Sequence, residues 1–187
     1  MRAGPAQDTI AFLDVHQLGL AGRVEQHIGH GALSQLTDPG RTGWIPLAAD
    51  VVFLDGLAEL LGHEEAIAFF RASVARHFES PLLRSFVSGA RRIFGLTPVG
   101  LVKLIPRIWP MVYKDLGTPQ LDKREDDYTV VTLVEANSQL FDSQGYRCAW
   151  QGIFEGVIDA GGAAPDRLRV QIVTSKALGQ FEIHLRW

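Results

Sequence analysis

The side chains able to do chemistry are few and scattered along the chain. His27 and His30 are three residues apart, which puts both on one face of a helix. With Glu25 or His16 they form a partial ligand set for zinc or nickel. A structural zinc site takes four ligands, so the expected reading is two exposed helix histidines and no metal. His63-Glu64-Glu65 also groups ligand types, but adjacent positions diverge around a helix, and the carboxylates suit a first turn where they complement the dipole. Cys148 is the only cysteine, which excludes an intrachain disulfide and a cysteine-rich zinc module. Having no histidine beside it in sequence, it is expected as a small buried apolar residue, not as a nucleophile or lipid-attachment site. Gly29-His30-Gly31 lacks the spacing, the lysine and the preceding strand of a phosphate loop, and no Gly-x-Ser-x-Gly elbow occurs. With no nucleophile–base pair and no metal set in view, the reading leans away from an enzyme.

Arg91-Arg92, Lys103 and Arg107 form a local basic cluster near Trp109 and Tyr113. A helix of that composition suits an anionic surface or an acidic partner, but ordinary surface charge is the expectation here. Asp115 and the acidic run after it oppose extended contact with nucleic acid.

These residues need elements to hold them. Residues 1–8 read as a loose tail, followed by a short apolar helix from Thr9 to Gly19. A second helix over 22–36 is weakened by Gly29 and Gly31, and Thr37–Gly43 is a loop. Pro46 opens an almost wholly apolar helix that ends at Gly62, and a helix with Ile67, Phe69, Phe70, Val74 and Phe78 on its apolar face follows. Ser80-Pro81 predicts a further helix to Gly95, and Thr97-Pro98 repeats the cap-then-proline device. The segment from Val99 to Leu116 approaches the length of a membrane span. Lys103, Arg107 and Lys114 interrupt it, and Pro106 and Pro110 each remove a helix hydrogen bond, so a kinked core helix, or one lying on a membrane surface, is expected and no membrane span. Asp122–Asp127 reads as a solvated run. Tyr128–Val134 is β-branched and reads as a strand, 145–160 as an apolar-faced helix, and Leu168–Thr174 with Phe181–Trp187 as an antiparallel hairpin. The fold class is α+β: a helical N-terminal half packed on a small antiparallel sheet with one further helix.

The 187 residues suit one domain, with 1–43 as tail and N-terminal helices and 44–187 as the main unit. A chain of this length buries about 70% of its extended surface, enough for a core without staples. A hydrophobic content of 47% excludes a wholly disordered chain, and a net charge of −3 creates no field to recruit nucleic acid. The N-terminus has no apolar stretch of signal-peptide length, so a cytoplasmic location is expected.

Helices first, then strand, helix and terminal hairpin is similar to a ligand-binding fold found in three groups. These are bacterial 4-vinyl-reductase-type domains, haem nitric-oxide-binding domains, and Bet3-like subunits of the transport-protein-particle tethering complex. The resemblance is closer to bacterial relatives of that superfamily. It rests on Thr97–Arg107, on Arg147–Gly156 in the late helix and on the closing Phe181–Trp187 strand, and it covers residues 44–187. It implies a pocket for an apolar or flat molecule. Haem is not expected: the haem-binding relatives use a histidine on a helix before the sheet and a Tyr-x-Ser-x-Arg motif. Here no histidine lies between Phe78 and Ile183, that motif is absent, and His77 is the nearest candidate.

The expected function is therefore a non-enzymatic sensor or carrier domain for a hydrophobic small molecule or lipid, without a cofactor. Its pocket is placed between the 97–116 helix, the 145–160 helix and the sheet. Phe86, Leu101, Ile105, Trp109, Trp150, Phe154 and Cys148 supply apolar wall and small-residue floor, and Arg107 anchors a carboxylate head. Gly152 and Gly156 share a helical face with Cys148, which admits close approach of a backbone or a ligand. The alternative is a protein-interaction or scaffold module that forms a homodimer through an exposed face of the 97–116 helix.

Overall fold

The computed structural model describes residues 1–79, 84, 88–89, 97–163, 168–175 and 179–187. The α+β expectation holds: a helical first half is followed by a four-stranded antiparallel sheet in the order β1-β2-β4-β3. The helix predicted from Ser80 to Gly95, with Phe86 and Arg91-Arg92, lies outside the described residues.

Helix α1 spans Ala3–His16, so the expected loose tail is a helix whose Ala3, Ala6 and Leu13 are buried in the core. Small side chains at its start allow that close packing, and the polar composition of residues 1–8 hid it. Gly29, at φ 85°, splits the predicted second helix into α2 (Leu20–Ile28) and α3 (His30–Thr37). A side chain with a Cβ strongly disfavours that backbone angle, whereas glycine adopts it freely. Helix α4 (Leu47–Leu61) follows Pro46 and stops at Gly62, and α5 (His63–Glu79) starts with Glu64 and Glu65 in its first turn. Helix α4 is not buried all round, since Val52 is 45% exposed.

The 97–116 segment is two short helices, α6 (Pro98–Val102) and α7 (Ile105–Val112). Thr97 caps the first, its Oγ1 accepting from the Gly100 N–H at 3.2 Å. Pro106 has no N–H to continue the hydrogen-bond ladder of α6, and a separate helix starts at Ile105. No described helix is long and apolar enough to cross a membrane. Of the large apolar side chains described as exposed (Val15, Leu18, Trp44, Val52 and Val173), none belongs to this segment, so the exposed face expected for the scaffold alternative is not there.

Strand β1 (Thr118–Arg124) takes in part of the charged run that had been expected to lie in solvent. It pairs with β2 (Tyr128–Val134) through a register shift between Leu121 and Lys123, and serves as an edge strand, where charge is tolerated. The single turn α8 (Gln139–Asp142) leads into α9 (Gln144–Ala160). Strands β3 (Arg169–Ser175) and β4 (Gln180–Arg186) form the expected hairpin, and β4 buries Phe181, Ile183 and Leu185 on one face.

Helix α9 ties the two halves together. Its Trp150 stands edge-on against Phe181 of the sheet, with ring centroids 4.7 Å apart. Its glycine face turns the other way: a Cβ on Gly152 would lie 2.3 Å from the Ile67 carbonyl oxygen, and one on Gly145 2.1 Å from the Leu54 carbonyl carbon. The small-residue face therefore receives the backbones of α4 and α5. Asp55 on α4 fixes the start of α9, its Oδ1 accepting from Ser143 Oγ (2.7 Å) and the Gly145 N–H (2.6 Å). Arg71 on α5 donates from Nε to Asp159 Oδ2 (2.6 Å) further along the helix.

Candidate functional site

With its glycine face on α5, α9 presents Tyr146, Ala149, Trp150, Ile153 and Phe154 to the opposite side, where a cavity of about 180 Å³ opens. Helix α7 faces it with Ile105, Ile108 and Trp109, α6 with Leu101, and α1, α4 and α5 complete the wall. No described sheet residue lines it, contrary to the expected placement; Trp150 packs edge-on against Phe181 on that side.

Of the predicted binding residues, the structure places Leu101, Ile105, Trp109, Trp150 and Phe154 on the cavity wall. Phe86 lies outside the described residues. Arg107 is not on the wall: it is exposed, because the rotation of α7 that turns Trp109 inward turns the position two residues earlier to solvent. Cys148 is also not on the wall; it sits on the glycine side with Ala58 and Ala66. There it meets a histidine that its sequence neighbourhood does not contain, its Sγ lying 3.3 Å from His63 Nδ1. Gln144 Nε2 is 2.6 Å from the same nitrogen. Burial pushes the thiol's pKa up, so this pair is a satisfied packing contact.

Sequence reasoning missed the polar members of the wall. Asp50, in the first turn of α4, is completely buried. Its Oδ2 accepts from the Tyr146 hydroxyl, while its Oδ1 has no partner. Burial is the main cause that raises the Asp50 pKa to about 6, against the opposing effect of the Tyr146 hydrogen bond. Trp150 Nε1, also on the wall, is buried without a partner. The Tyr113 ring lies 4.3 Å from Trp109, and burial drives its phenol well above the usual range. The available signal was one carboxylate among Ala48, Ala49, Val51, Val52 and Phe53 in a helix read only for its apolar content.

At the α1 end of the cavity, His77 Nε2 contacts Thr9 Oγ1 at 3.2 Å, and that hydroxyl donates to the Pro5 carbonyl at 3.0 Å. Burial is the main cause that lowers the pKa of the His77 imidazole. His27 and His30, separated by the break at Gly29, bond to Glu59 (2.8 Å) and Glu25 (2.7 Å) respectively. Among the described residues no cluster of three metal-ligating side chains forms.

A helical half, two proline-broken helices and a sheet carrying one long helix together define the H-NOX fold, that of haem nitric-oxide-binding proteins. The chain is similar over its whole length to the Fe(II) unliganded H-NOX protein from K. algicida, with a TM-score of 0.68, 10% identity and coverage of 100% of this chain and 96% of that one. A structure described as probing haem distortion in the H-NOX family matches with a TM-score of 0.66 and 11% identity, covering 100% and 95%. A single-substitution mutant of the T. tengcongensis H-NOX protein matches at 0.63 and 12%, covering 100% and 97%. No family model and no curated protein matches the chain. The similarity includes residues 1–43, so it extends beyond the 44–187 expected. It also corrects the expected partner: the structures that share this fold are described by Fe(II) and haem, which overturns a lipid or other hydrophobic small molecule.

The residues around this cavity do not fit haem. Haem iron needs an axial side chain, and two candidates on the wall, His77 and Tyr146, are already engaged. His77 Nε2 contacts Thr9, and the Tyr146 hydroxyl is held by Asp50. The propionates need cationic partners, yet no described lysine or arginine lines the cavity, and the buried Asp50 carboxyl opposes their charge. The volume is also below the roughly 300 Å³ at which pockets for drug-sized ligands begin.

Proposed function

We propose that this chain is a small-molecule sensor domain on the H-NOX fold, with the cavity between α1, α4, α5, α7 and α9 as its receptor site. One observation carries the reading: an almost wholly apolar wall, assembled from helices that meet only in the folded protein, encloses a cavity of about 180 Å³. Apolar space of this size takes up a small molecule that fills it. An occupant that fits one arrangement of α7 against α9 better than another shifts the balance between them, which is what a sensor requires. The fold supports this reading, since its solved members include structures described in terms of H-NOX activation.

The test uses ethylbenzene as a probe of room, not as the natural ligand. A cavity of about 150 Å³ already admits benzene. Saturable amide shifts at Ile105, Trp109 and Ile153 in NMR spectra of the full chain are expected, together with a rise in Tm. Ala149→Leu fills the space and should abolish both; Ile153→Phe serves if that variant does not fold. Absence of saturable shifts in the wild-type protein overturns the reading.

A further inference from the structure

The outward face of the sheet carries a second set of groups able to do chemistry. Side chains alternate across a strand, so while Phe181, Ile183 and Leu185 of β4 enter the core, Glu182, His184 and Arg186 point the other way. The register sets Tyr128 of β2, Arg186 of β4 and Arg169 of β3 in one row. Arg169, Gln171, Val173 and Arg186 are exposed, so this face is open to solvent.

Tyr128 Oη lies 2.8 Å from His184 Nδ1, and His184 Nε2 lies 2.9 Å from Glu182 Oε2. A carboxylate only accepts, so Nε2 carries a proton, and in the neutral imidazole Nδ1 accepts from the Tyr128 hydroxyl. The His184 and Glu182 side chains are 28% and 36% exposed, so this chain of bonds runs at the surface. A nucleophile within hydrogen-bond reach of a base, itself oriented by a third group, is the arrangement that activates a hydroxyl for attack. Tyr128 and His184 are 56 positions apart, which is why no such pair shows in the sequence. Arg169 and Arg186 stand directly opposite each other, where like charges repel and an anion between them relieves the cost. The Arg186 guanidinium also lies 5.2 Å from the centre of the Tyr128 ring.

We propose that Tyr128 is a nucleophilic acceptor for the acyl group of an acyl phosphate, with His184 as its general base, Glu182 as the positioning residue, and Arg186 and Arg169 as the seat of the phosphate. Oη bonds to the carbonyl carbon as its proton passes to His184 Nδ1. The bond from that carbon to the phosphate oxygen breaks, and inorganic phosphate leaves with the electron pair and takes up the proton from His184. The product is an O-acyl tyrosine on an open sheet face. None of these five residues lines the cavity, so the site stands apart from the receptor reading above.

Acetyl phosphate is the probe, with N-acetyltyrosinamide in the same solution as an unassisted phenol. Peptide mass spectrometry of the full chain should find Tyr128 acetylated about a hundredfold faster than that phenol, the lower end of general-base assistance. His184→Gln should bring the two rates together and leave labelling of the exposed Lys103 unchanged. The wild-type rate at Tyr128 should show a solvent deuterium isotope effect that shrinks in Glu182→Gln, a change that packing alone would not produce. Arg186→Gln should slow labelling by acetyl phosphate but not by p-nitrophenyl acetate, which has no phosphate to seat. Wild-type Tyr128 labelled no faster than the free phenol overturns the proposal without reference to any variant, and so does a His184→Gln rate equal to wild type. A phosphoryl group on Tyr128 in place of acetyl overturns the acyl assignment, and equal slowing of both probes in Arg186→Gln overturns the arginine seat.

Discussion

The Tyr146 hydroxyl, on α9, donates to Oδ2 of Asp50, on α4, and leaves Oδ1 of the same carboxyl without a partner although no part of Asp50 reaches solvent. The two residues are 96 positions apart, so only the packing of α9 on α4 creates the arrangement. A half-satisfied buried carboxyl is a stability liability, retained here on the wall of a cavity.

That liability has a pH signature. The Asp50 pKa in the folded protein is about 6, against an ordinary value of 3.8. The folded state therefore holds its proton where the unfolded state has lost it, and stability falls as pH rises from about 4 to about 6. The full difference is about 3 kcal/mol at neutral pH. Urea unfolding across this range should show wild-type protein losing stability relative to Asp50→Asn as pH rises. A difference between the two that does not change with pH would contradict the buried, raised carboxyl.

The glycine face of α9 tolerates no side chain. A Cβ on Gly145 meets the backbone of Leu54 and Asp55, and one on Gly152 meets the Ile67 carbonyl oxygen. Gly145→Ala and Gly152→Ala should each cost about 3 kcal/mol in chemical denaturation. Gly22→Ala, in α2 with open space around it, should stabilise by about 0.5–1 kcal/mol. Equal effects at the three positions would show that α9 does not sit as described.

Cys148 should be inert. Its thiol is buried, contacts His63 and has a raised pKa, so little thiolate is present at neutral pH. Iodoacetamide should label it only after denaturant is added. Rapid labelling of the native chain would reopen the Cys148–His63 pair as a reactive site.

Haemin added to the purified chain should leave the Soret band where free haemin has it. The cavity wall has no described lysine or arginine for the propionates, and its one described imidazole is engaged by Thr9. A sharp, stoichiometric Soret shift that is lost in His77→Ala would show that His77 leaves Thr9 to bind iron.

The sequence by itself determined the elements that local chemistry controls. The cap-and-proline pair at Thr97-Pro98, the stop at Gly62, and the alternating strands of the closing hairpin each follow from backbone geometry or side-chain period within a few residues. It also singled out Leu101, Ile105, Trp109, Trp150 and Phe154 as large apolar residues, and these fall on three helices, α6, α7 and α9, that line one cavity. It misjudged the first eight residues and the edge strand β1, where polar composition concealed the packing of the former on distant segments and the pairing of the latter with β2. It could not say which face of α9 is occupied by α5, and so put Cys148 in the pocket and missed Tyr146. Nor could it see that Asp50, Tyr113, Tyr146 and Trp150 converge. That convergence belongs to tertiary structure, because it depends on how closely Gly145, Gly152 and Gly156 let α9 approach α4 and α5, and a spacing along the chain carries no record of a distance across it.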